Sequence, residues 1–212
     1  MTVGVKICGV TSAEACAAAT SGGASHLGFV FYPPSPRDIA LDRAAALGRT
    51  LRDRVRTVGV FVDADDALLA AAVGTVGLDI VQLHGSEPPA RVAAIRQALG
   101  REVWKAVPVR TRADLAGAAA YRGAADRIVF DAKPAPGGLP GGGGLRFDWR
   151  LLAGYRHALP WVLSGGLDAA SVAEAVATTG ASIVDVSSGV EREPGVKDVD
   201  KIAAFLQAAH AA

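Results

Sequence analysis

Two stretches near the end of the chain decide the predicted fold: Leu159-Pro160-Trp161-Val162-Leu163-Ser164-Gly165-Gly166 and Ile183-Val184-Asp185-Val186-Ser187-Ser188-Gly189. Each is a short apolar run, typical of a β-strand, that passes directly into a small turn containing glycine. Backbone N–H groups in such turns can approach an anion because no side chain blocks them, and a following helix N-terminus adds partial positive charge. The loops after strands seven and eight of (β/α)₈ barrels often hold a phosphate group. We therefore predict a phosphate site formed by Ser164, Gly165, Gly166, Ser187, Ser188 and Gly189.

The same strand-then-helix unit repeats along the whole chain. Eight short apolar runs alternate with longer alanine-rich segments, at residues 3–8, 26–31, 56–62, 79–84, 102–107, 126–131, 159–163 and 182–186. Most lack a clean alternation of polar and apolar residues, as expected for strands covered on both faces. The pattern predicts an α/β fold, a single (β/α)₈ TIM barrel over residues 1–212. An open doubly wound sheet is the alternative, but no Gly-x-Gly-x-x-Gly follows the first strand.

Helix signals lie between these runs. Thr11-Ser12-Ala13-Glu14 and Thr111-Arg112-Ala113-Asp114 resemble capping boxes, and Asp168 can cap a helix that Gly180 closes. A last helix over residues 198–209 places four apolar side chains on one face, those of Ile202, Phe205, Leu206 and Ala209.

Composition excludes several classes of protein. The formal charge of +1 gives no field suited to nucleic acid. No apolar run approaches the roughly 18 residues that span a bilayer, and the start lacks the pattern of a signal peptide. We therefore expect a cytoplasmic protein. We also expect a monomer, with a dimer as the alternative. Cys8 and Cys16 have no metal-ligand spacing, so reduced thiols and no metal site are expected.

One connection breaks the repeat. Residues 132–147 are rich in proline and glycine and directly follow a predicted strand that ends at Asp131. We expect a mobile cover over an active site, with a disordered linker as the alternative. A domain boundary is disfavoured because the repeat continues on both sides.

Polar side chains collect where the predicted strands end. In a closed parallel barrel these ends share one mouth, which would bring together Cys8, Arg37, His84, Asp131 and Asp185. Four of them have a structural alternative: a buried filler for the thiol, a loop cap for Asp131, a solvated charge for Arg37 and a satisfied core histidine for His84. The helix expected after Cys8 favours a lowered thiol pKa. Cys16 is expected in the core, while Asp63 and Lys133 fit a cap and a surface charge.

Short motifs in the predicted order resemble the phosphoribosylanthranilate isomerase family of tryptophan biosynthesis. They are Val5-Lys6-Ile7-Cys8-Gly9-Val10-Thr11, Gly28-Phe29-Val30-Phe31, Ser35-Pro36-Arg37, Val58-Gly59-Val60-Phe61-Val62, Val81-Gln82-Leu83-His84-Gly85, Phe147-Asp148-Trp149, Leu163-Ser164-Gly165-Gly166-Leu167 and Val184-Asp185-Val186-Ser187-Ser188-Gly189-Val190-Glu191. The glycine run 141–144 departs from the family pattern because it lacks a hydroxyl residue.

The resemblance implies a (β/α)₈ barrel that rearranges a phosphorylated aminoaldose to a ketose, an Amadori rearrangement by general acid–base catalysis. By similarity, Cys8 is the general base and Asp131 the general acid, Arg37 lies near the anthranilate moiety, and His84 and Asp185 line the pocket. The two glycine turns match the phosphate loops. The rearrangement involves no redox change, so no nicotinamide or metal cofactor is expected.

Three other functions remain as alternatives. A related sugar-phosphate isomerase, such as a histidine-pathway or dual-substrate barrel, is disfavoured. Those enzymes resemble a layout with an aspartate base on strand one, where this chain has Cys8. A non-catalytic sensor of a phosphorylated ligand is disfavoured because both a candidate acid and a candidate base are present. A fused or partner-activated subunit is disfavoured because the sequence shows no obvious appendage.

Overall fold

The computed structural model describes residues 2–133, 144–157 and 159–212. Its eight parallel strands pair in chain order and close into a barrel, with β8 hydrogen-bonded to β1. The strands are β1 (Gly4–Cys8), β2 (His26–Phe31), β3 (Arg56–Phe61), β4 (Ile80–Leu83), β5 (Glu102–Val109), β6 (Arg127–Ala132), β7 (Trp161–Leu163) and β8 (Ile183–Val186). All eight predicted strands are confirmed, and the open sheet is wrong.

Seven α-helices of the described chain surround the barrel. They are α1 (Ala13–Ser21), α2 (Leu41–Leu51), α3 (Asp66–Val76), α4 (Pro89–Leu99), α5 (Arg112–Gly117), α6 (Val172–Thr179) and α7 (Val199–His210). Between β6 and β7 the described residues form only a 3₁₀ helix, Trp149–Leu151, so the sixth strand–helix unit has no α-helix among the described residues. No helix among the described residues is long and apolar enough to cross a membrane.

The helix caps follow the sequence signals with two shifts. The side chain of Ser12, not that of Thr11, is the N-cap of α1 and accepts from the Ala15 N–H. The capping box at Thr111 and Asp114 is present, and Asp198 caps α7. The Asp168 carbonyl accepts from the Val172 N–H at the start of α6, although the N-cap position itself is taken by Ser171.

Apolar residues pack in two separate layers. The barrel interior is filled by a cluster that includes Val58, Ile80, Trp104, Val129 and Val162. A larger cluster lies between the strands and the surrounding helices. It includes the predicted face of α7, whose four apolar residues are all buried. Because both strand faces are covered, the strands are mostly apolar, which explains why most of them lack a clean alternation of polar and apolar residues.

A β-hairpin that the sequence patterns did not predict lies between β8 and α7. Its strands are β9 (Glu191–Glu193) and β10 (Val196–Lys197), and a short 3₁₀ helix, Ser188–Val190, precedes it. The first residue of β9 and the last of β10 pair with each other, which places Glu191 and Lys197 side by side at the barrel mouth. Residues 134–143 of the loop expected to cover the site lie outside the described part of the chain.

Candidate active site

One pocket opens at the carboxyl ends of the barrel strands. It is lined by Cys8, Val30, Tyr32, Ser35, Arg37, Val60, Val62, Gln82, His84, Asp131, Ser164, Asp185 and Ser187. The pocket contains all five polar residues predicted to meet there, together with the first serine of each predicted phosphate turn. Its wall combines a few polar groups with valine side chains, as in typical small-molecule sites.

A hydrogen-bonded chain of three residues, here named the acid side, lies on β4 and β6. Asp131 is almost fully buried, and its Oδ2 lies 3.0 Å from His84 Nε2. The Ala132 N–H donates to Asp131 Oδ1 at 2.8 Å. His84 Nδ1 in turn lies 3.0 Å from the amide nitrogen of Gln82. Asp131 therefore has both oxygens engaged by the protein and also borders the open pocket.

Buried charged side chains surround the Cys8 thiol. This group, here named the base side, consists of Lys6 and Cys8 on β1, Asp185 on β8 and Lys197 on β10. The Lys6 ammonium donates to both oxygens of Asp185 at 3.0 Å, and β1 and β8 pair these two residues directly. Burial lowers the pKa of Lys6, but Asp185 and Cys8 more than offset this, so its pKa lies above the ordinary value. Lys6 therefore stays a cation inside the barrel.

The cation lies next to the thiol. Cys8 contributes to the raised pKa of Lys6, and a Cβ atom on Gly28 would lie 3.1 Å from Cys8 Sγ and 3.2 Å from Lys6 Nζ. Only glycine on β2 leaves this space for the two side chains. The pair therefore has the geometry of a thiolate with a buried counter-ion.

The predicted lowering of the Cys8 pKa is wrong for this pocket. Burial raises the pKa of the Cys8 thiol, and although Lys6 opposes the rise, the net pKa lies above the ordinary value. The helix expected to lower it, α1, begins only at Ala13. Since the field of a helix end falls off within about one turn, α1 contributes little.

Arg37 reaches the same pocket as a buried side chain, not as a solvated charge. Its guanidinium donates to both oxygens of Glu191, from Nε at 2.8 Å and from Nη2 at 2.7 Å. Lys197 donates to Glu191 Oε1 at 2.7 Å. Burial raises the pKa of Glu191, but the hydrogen bonds from Arg37 and the charge of Lys197 outweigh burial. The net pKa of Glu191 therefore lies below its ordinary value. Glu191 therefore holds two cations at the pocket edge.

The two glycine turns pack against each other. Gly165 and Gly166 adopt left-handed backbone conformations, with φ of 93° and 65°. A Cβ on Gly189 would collide with the Leu167 carbonyl, so the turn after β8 lies directly on the turn after β7. Within the described residues, no acceptor receives the N–H of Gly165 or Gly166. These N–H groups fit the predicted anion cradle.

Ser187 connects the second turn to the base side. Its hydroxyl donates to the Cys8 carbonyl at 3.1 Å, and Lys197 donates to the Ser187 carbonyl at 2.9 Å. Arg146 stands beside the first turn and donates to the Gly166 carbonyl at 2.7 Å. The predicted phosphate turns therefore lie next to two cations that the sequence reasoning did not single out.

Several functional candidates were missed from sequence alone: Lys6, Gln82, Arg146, Glu191 and Lys197. Lys6 and Gln82 carried a usable signal, because a polar residue inside an otherwise apolar strand is expensive to bury without a partner. Glu191 and Lys197 meet only because the hairpin pairs them.

Of the remaining sequence candidates, Cys16 and Lys133 lie where predicted, whereas the prediction that Asp63 is a cap is wrong for the helix that follows it, because the N-cap of α3 is Asp65. Cys16 is buried within α1, and burial raises its pKa to about 11. The Asp63 carboxylate accepts from the Ser86 N–H at 2.8 Å in the turn after β4, and Lys133 is exposed. None of the three lines the pocket.

Comparison of the whole chain with known proteins shows its family. The family model for N-(5'-phosphoribosyl)anthranilate (PRA) isomerase matches residues 5–208. The Rhodospirillum centenum N-(5'-phosphoribosyl)anthranilate isomerase is 56% identical, and the match covers 100% of both chains.

Solved structures give the same result. The Thermotoga maritima phosphoribosylanthranilate isomerase superposes with a TM-score of 0.90 at 38% identity, covering 99% of this chain and 100% of that one. A phosphoribosylanthranilate isomerase in complex with reduced 1-(o-carboxyphenylamino)-1-deoxyribulose 5-phosphate gives 0.87 at 37% identity, with the same coverage. The resemblance drawn from the sequence motifs is confirmed: this chain belongs to the N-(5'-phosphoribosyl)anthranilate isomerase family.

Proposed function

We propose that this chain isomerises N-(5'-phosphoribosyl)anthranilate by general acid–base catalysis, with Asp131 as the acid and Cys8 as the base. One observation carries the proposal: the carboxyl group and the thiol line the same pocket, on β6 and β1. A sugar bound between them could receive a proton on one side and lose one on the other. The product is 1-(2-carboxyphenylamino)-1-deoxyribulose 5-phosphate.

The acid step opens the ring. Protonated Asp131 gives its proton to the furanose ring oxygen, the C1′–O bond breaks, and the nitrogen lone pair forms an iminium ion. The hydrogen bonds from His84 and the Ala132 N–H then stabilise the carboxylate that remains. Such charge-assisted bonds are about twice as strong as neutral ones, so they favour the step.

The base step uses the thiolate of Cys8. The iminium ion acidifies the neighbouring C2′–H, Cys8 removes that proton, and the electron pair forms an enolamine. Tautomerisation of the enolamine gives the ketone, so the net reaction moves protons without redox change. Lys6 supports this step because its ammonium stabilises the thiolate beside it.

Both ends of the substrate have candidate partners. The backbone N–H groups of Gly165 and Gly166 supply donors for the phosphate, with Ser187, Ser188 and Gly189 in the adjacent turn. At the other end of the substrate, Arg37, which Glu191 holds in place, is the candidate partner of the carboxylate on the anthranilate ring. Holding both ends fixes the ribose between acid and base, and such positioning can contribute up to about 7–11 kcal/mol.

The test is turnover of freshly prepared N-(5'-phosphoribosyl)anthranilate by the purified chain, followed by loss of the substrate's fluorescence. We expect a rate proportional to enzyme concentration. Tight binding without turnover would instead support the sensor alternative. Turnover of a histidine-pathway aminoaldose at a comparable rate would support the dual-substrate alternative.

Four further expectations complete the proposal. We propose a cytoplasmic enzyme with a single domain over residues 1–212, acting without a metal or other cofactor. We also propose a monomer, with a dimer as the alternative, and light scattering on the eluting chain distinguishes the two.

A further inference from the structure

Gln82 lies fully buried inside the barrel, which is an unusual place for an uncharged amide. Its side-chain nitrogen lies 3.0 Å from His84 Nδ1. Its side-chain oxygen, Oε1, is buried without a hydrogen-bond partner among the described residues. A buried polar atom without a hydrogen-bond partner destabilises the fold, so the amide is retained at position 82 despite that loss of stability.

The amide determines which nitrogen of His84 carries a proton. Because the Gln82 N–H group donates to Nδ1, Nδ1 must act as the acceptor. The single proton of the neutral ring then lies on Nε2, which donates to Asp131 Oδ2 at 3.0 Å. The order of donors therefore runs from Gln82 through His84 to Asp131.

This order matters for a general acid. An ordinary imidazole binds a proton more tightly than an ordinary carboxyl group, so a histidine beside a protonated aspartate would normally take its proton. Taking it would require protons on both ring nitrogens. At His84 the second one, on Nδ1, would point at the N–H group of Gln82, and two donors facing each other repel.

We propose that Gln82 is a positioning residue that keeps His84 neutral, so that Asp131 retains the proton it delivers to the substrate. The proposal rests on the acid role of Asp131 given above. Once the proton has gone to the ring oxygen, the same Nε2–H bond stabilises the Asp131 carboxylate. Gln82 thus acts on the acid through His84 and does not itself touch the reacting atoms.

If the Gln82 amide were turned so that its oxygen faced His84, we would expect it to favour a protonated His84 instead of a neutral one. With Oε1 facing Nδ1, the amide oxygen would accept a hydrogen bond from an Nδ1–H group and favour an imidazolium ion paired with an Asp131 carboxylate. A carboxylate at position 82 would impose that state permanently. Gln82→Glu is therefore the sharpest variant, and Gln82→Met, which neither donates nor accepts strongly, is the intermediate one.

The experiment combines kinetics with ¹⁵N NMR of the histidine rings in the substrate-free enzyme. His84 is assigned by the signals that Gln82→Glu shifts and His84→Asn removes. At neutral pH we expect wild-type His84 to be neutral with its proton on Nε2. Gln82→Glu should show a doubly protonated ring and a loss of about 100-fold or more in kcat, with KM nearly unchanged, because a general acid is worth about 10²–10⁴. Gln82→Met should lose less.

Gln97→Glu, on the exposed face of α4, makes the same chemical change away from the site and should match wild type. Wild-type kcat in Gln82→Glu, or equal losses in both Gln82 variants with a neutral ring in each, would overturn the proposal. So would a wild-type ring that is protonated on Nδ1. If Gln82→Glu does not fold, the wild-type spectrum and Gln82→Met decide. If the wild type shows no isomerase activity, the proposed function fails while the spectrum still tests the ring.

Discussion

The acid side and the base side of the pocket differ in the groups that surround the reacting side chain. The acid side is a hydrogen-bonded chain of Gln82, His84 and Asp131, in which the side-chain oxygen of Gln82 has no partner among the described residues. The base side places Lys6 and Lys197 within reach of one thiol, with Asp185 balancing the first. Around the acid, neutral donors stabilise the carboxylate that forms when its proton leaves, whereas around the base, cations stabilise the thiolate that takes a proton from the substrate.

The two halves also differ in what a lost partner leaves behind. Removing a neutral hydrogen-bond partner costs about 1–3 kcal/mol, whereas removing one member of a buried ion pair costs about 3–5 kcal/mol. Variants on the base side are therefore expected to lose stability as well as activity. Each kinetic comparison below should include a thermal unfolding measurement.

The largest effects should come from removing the two reacting groups. Cys8→Ala and Asp131→Asn should each lower kcat by about 10²–10⁴ or more, because each removes one proton transfer. Binding of the reduced product analogue, measured by calorimetry, should be retained in both. Cys16→Ala, which removes the other buried thiol, is the matched control and should keep wild-type kcat. A wild-type rate in either of the first two variants would remove that residue from its role.

Lys6→Met should have the next largest effect, and it tests the charged character of the base side. The Cys8 pKa is already raised, so the thiolate fraction of the free enzyme, and with it kcat/KM, should increase as pH rises above 7. Without Lys6 this rising limb should move to higher pH, lowering kcat/KM at pH 7 about tenfold or more, since a nearby opposite charge shifts a pKa by about 1–3 units.

Lys105→Met provides the control for Lys6. Lys105 is equally buried in a strand and paired with Glu87 at 2.9 Å, but it does not line the pocket. It should lose stability without moving the pH–rate profile. An unshifted profile in Lys6→Met would contradict the counter-ion role.

Arg37→Ala should act mainly on binding. Loss of a charge-assisted hydrogen bond of about 1.5–3 kcal/mol should raise KM roughly 10- to 100-fold, with a smaller change in kcat. Arg37→Lys should not restore KM, because an ammonium lacks the planar fork that matches a carboxylate. Steady-state kinetics measures both values, and unchanged KM in Arg37→Ala would reject the assignment.

The smallest effect is expected at the phosphate turn. In Gly165→Ala the new Cβ would lie 2.7 Å from the Ala132 nitrogen, so the turn must shift and inorganic phosphate should inhibit several-fold more weakly. Gly180→Ala shares the left-handed backbone, with φ of 69°, but meets nothing within 4 Å. Both should lose about 1–2 kcal/mol of stability from the left-handed conformation, and only the first should change phosphate inhibition.

Most of the fold was predictable because the signals are local. The apolar runs and the capping box at Thr111 and Asp114 depend on residues within a few positions of each other. The hairpin between β8 and α7 was not predictable, since its strands, Glu191–Glu193 and Val196–Lys197, are too short to give a periodic pattern. Its consequence, the Glu191 bridge between Arg37 and Lys197, was missed with it.

The sequence alone determined the barrel, the strand ends at Cys8 and Asp131, and the two glycine turns, because strand periodicity and glycine conformation are properties of neighbouring residues. Only the tertiary structure decided the protonation environment. Closing the barrel paired Lys6 with Asp185, 179 positions apart, and turned a thiol expected to have a lowered pKa into one whose pKa is raised by burial. Desolvation and charge pairing depend on the whole packed interior, which no single segment encodes.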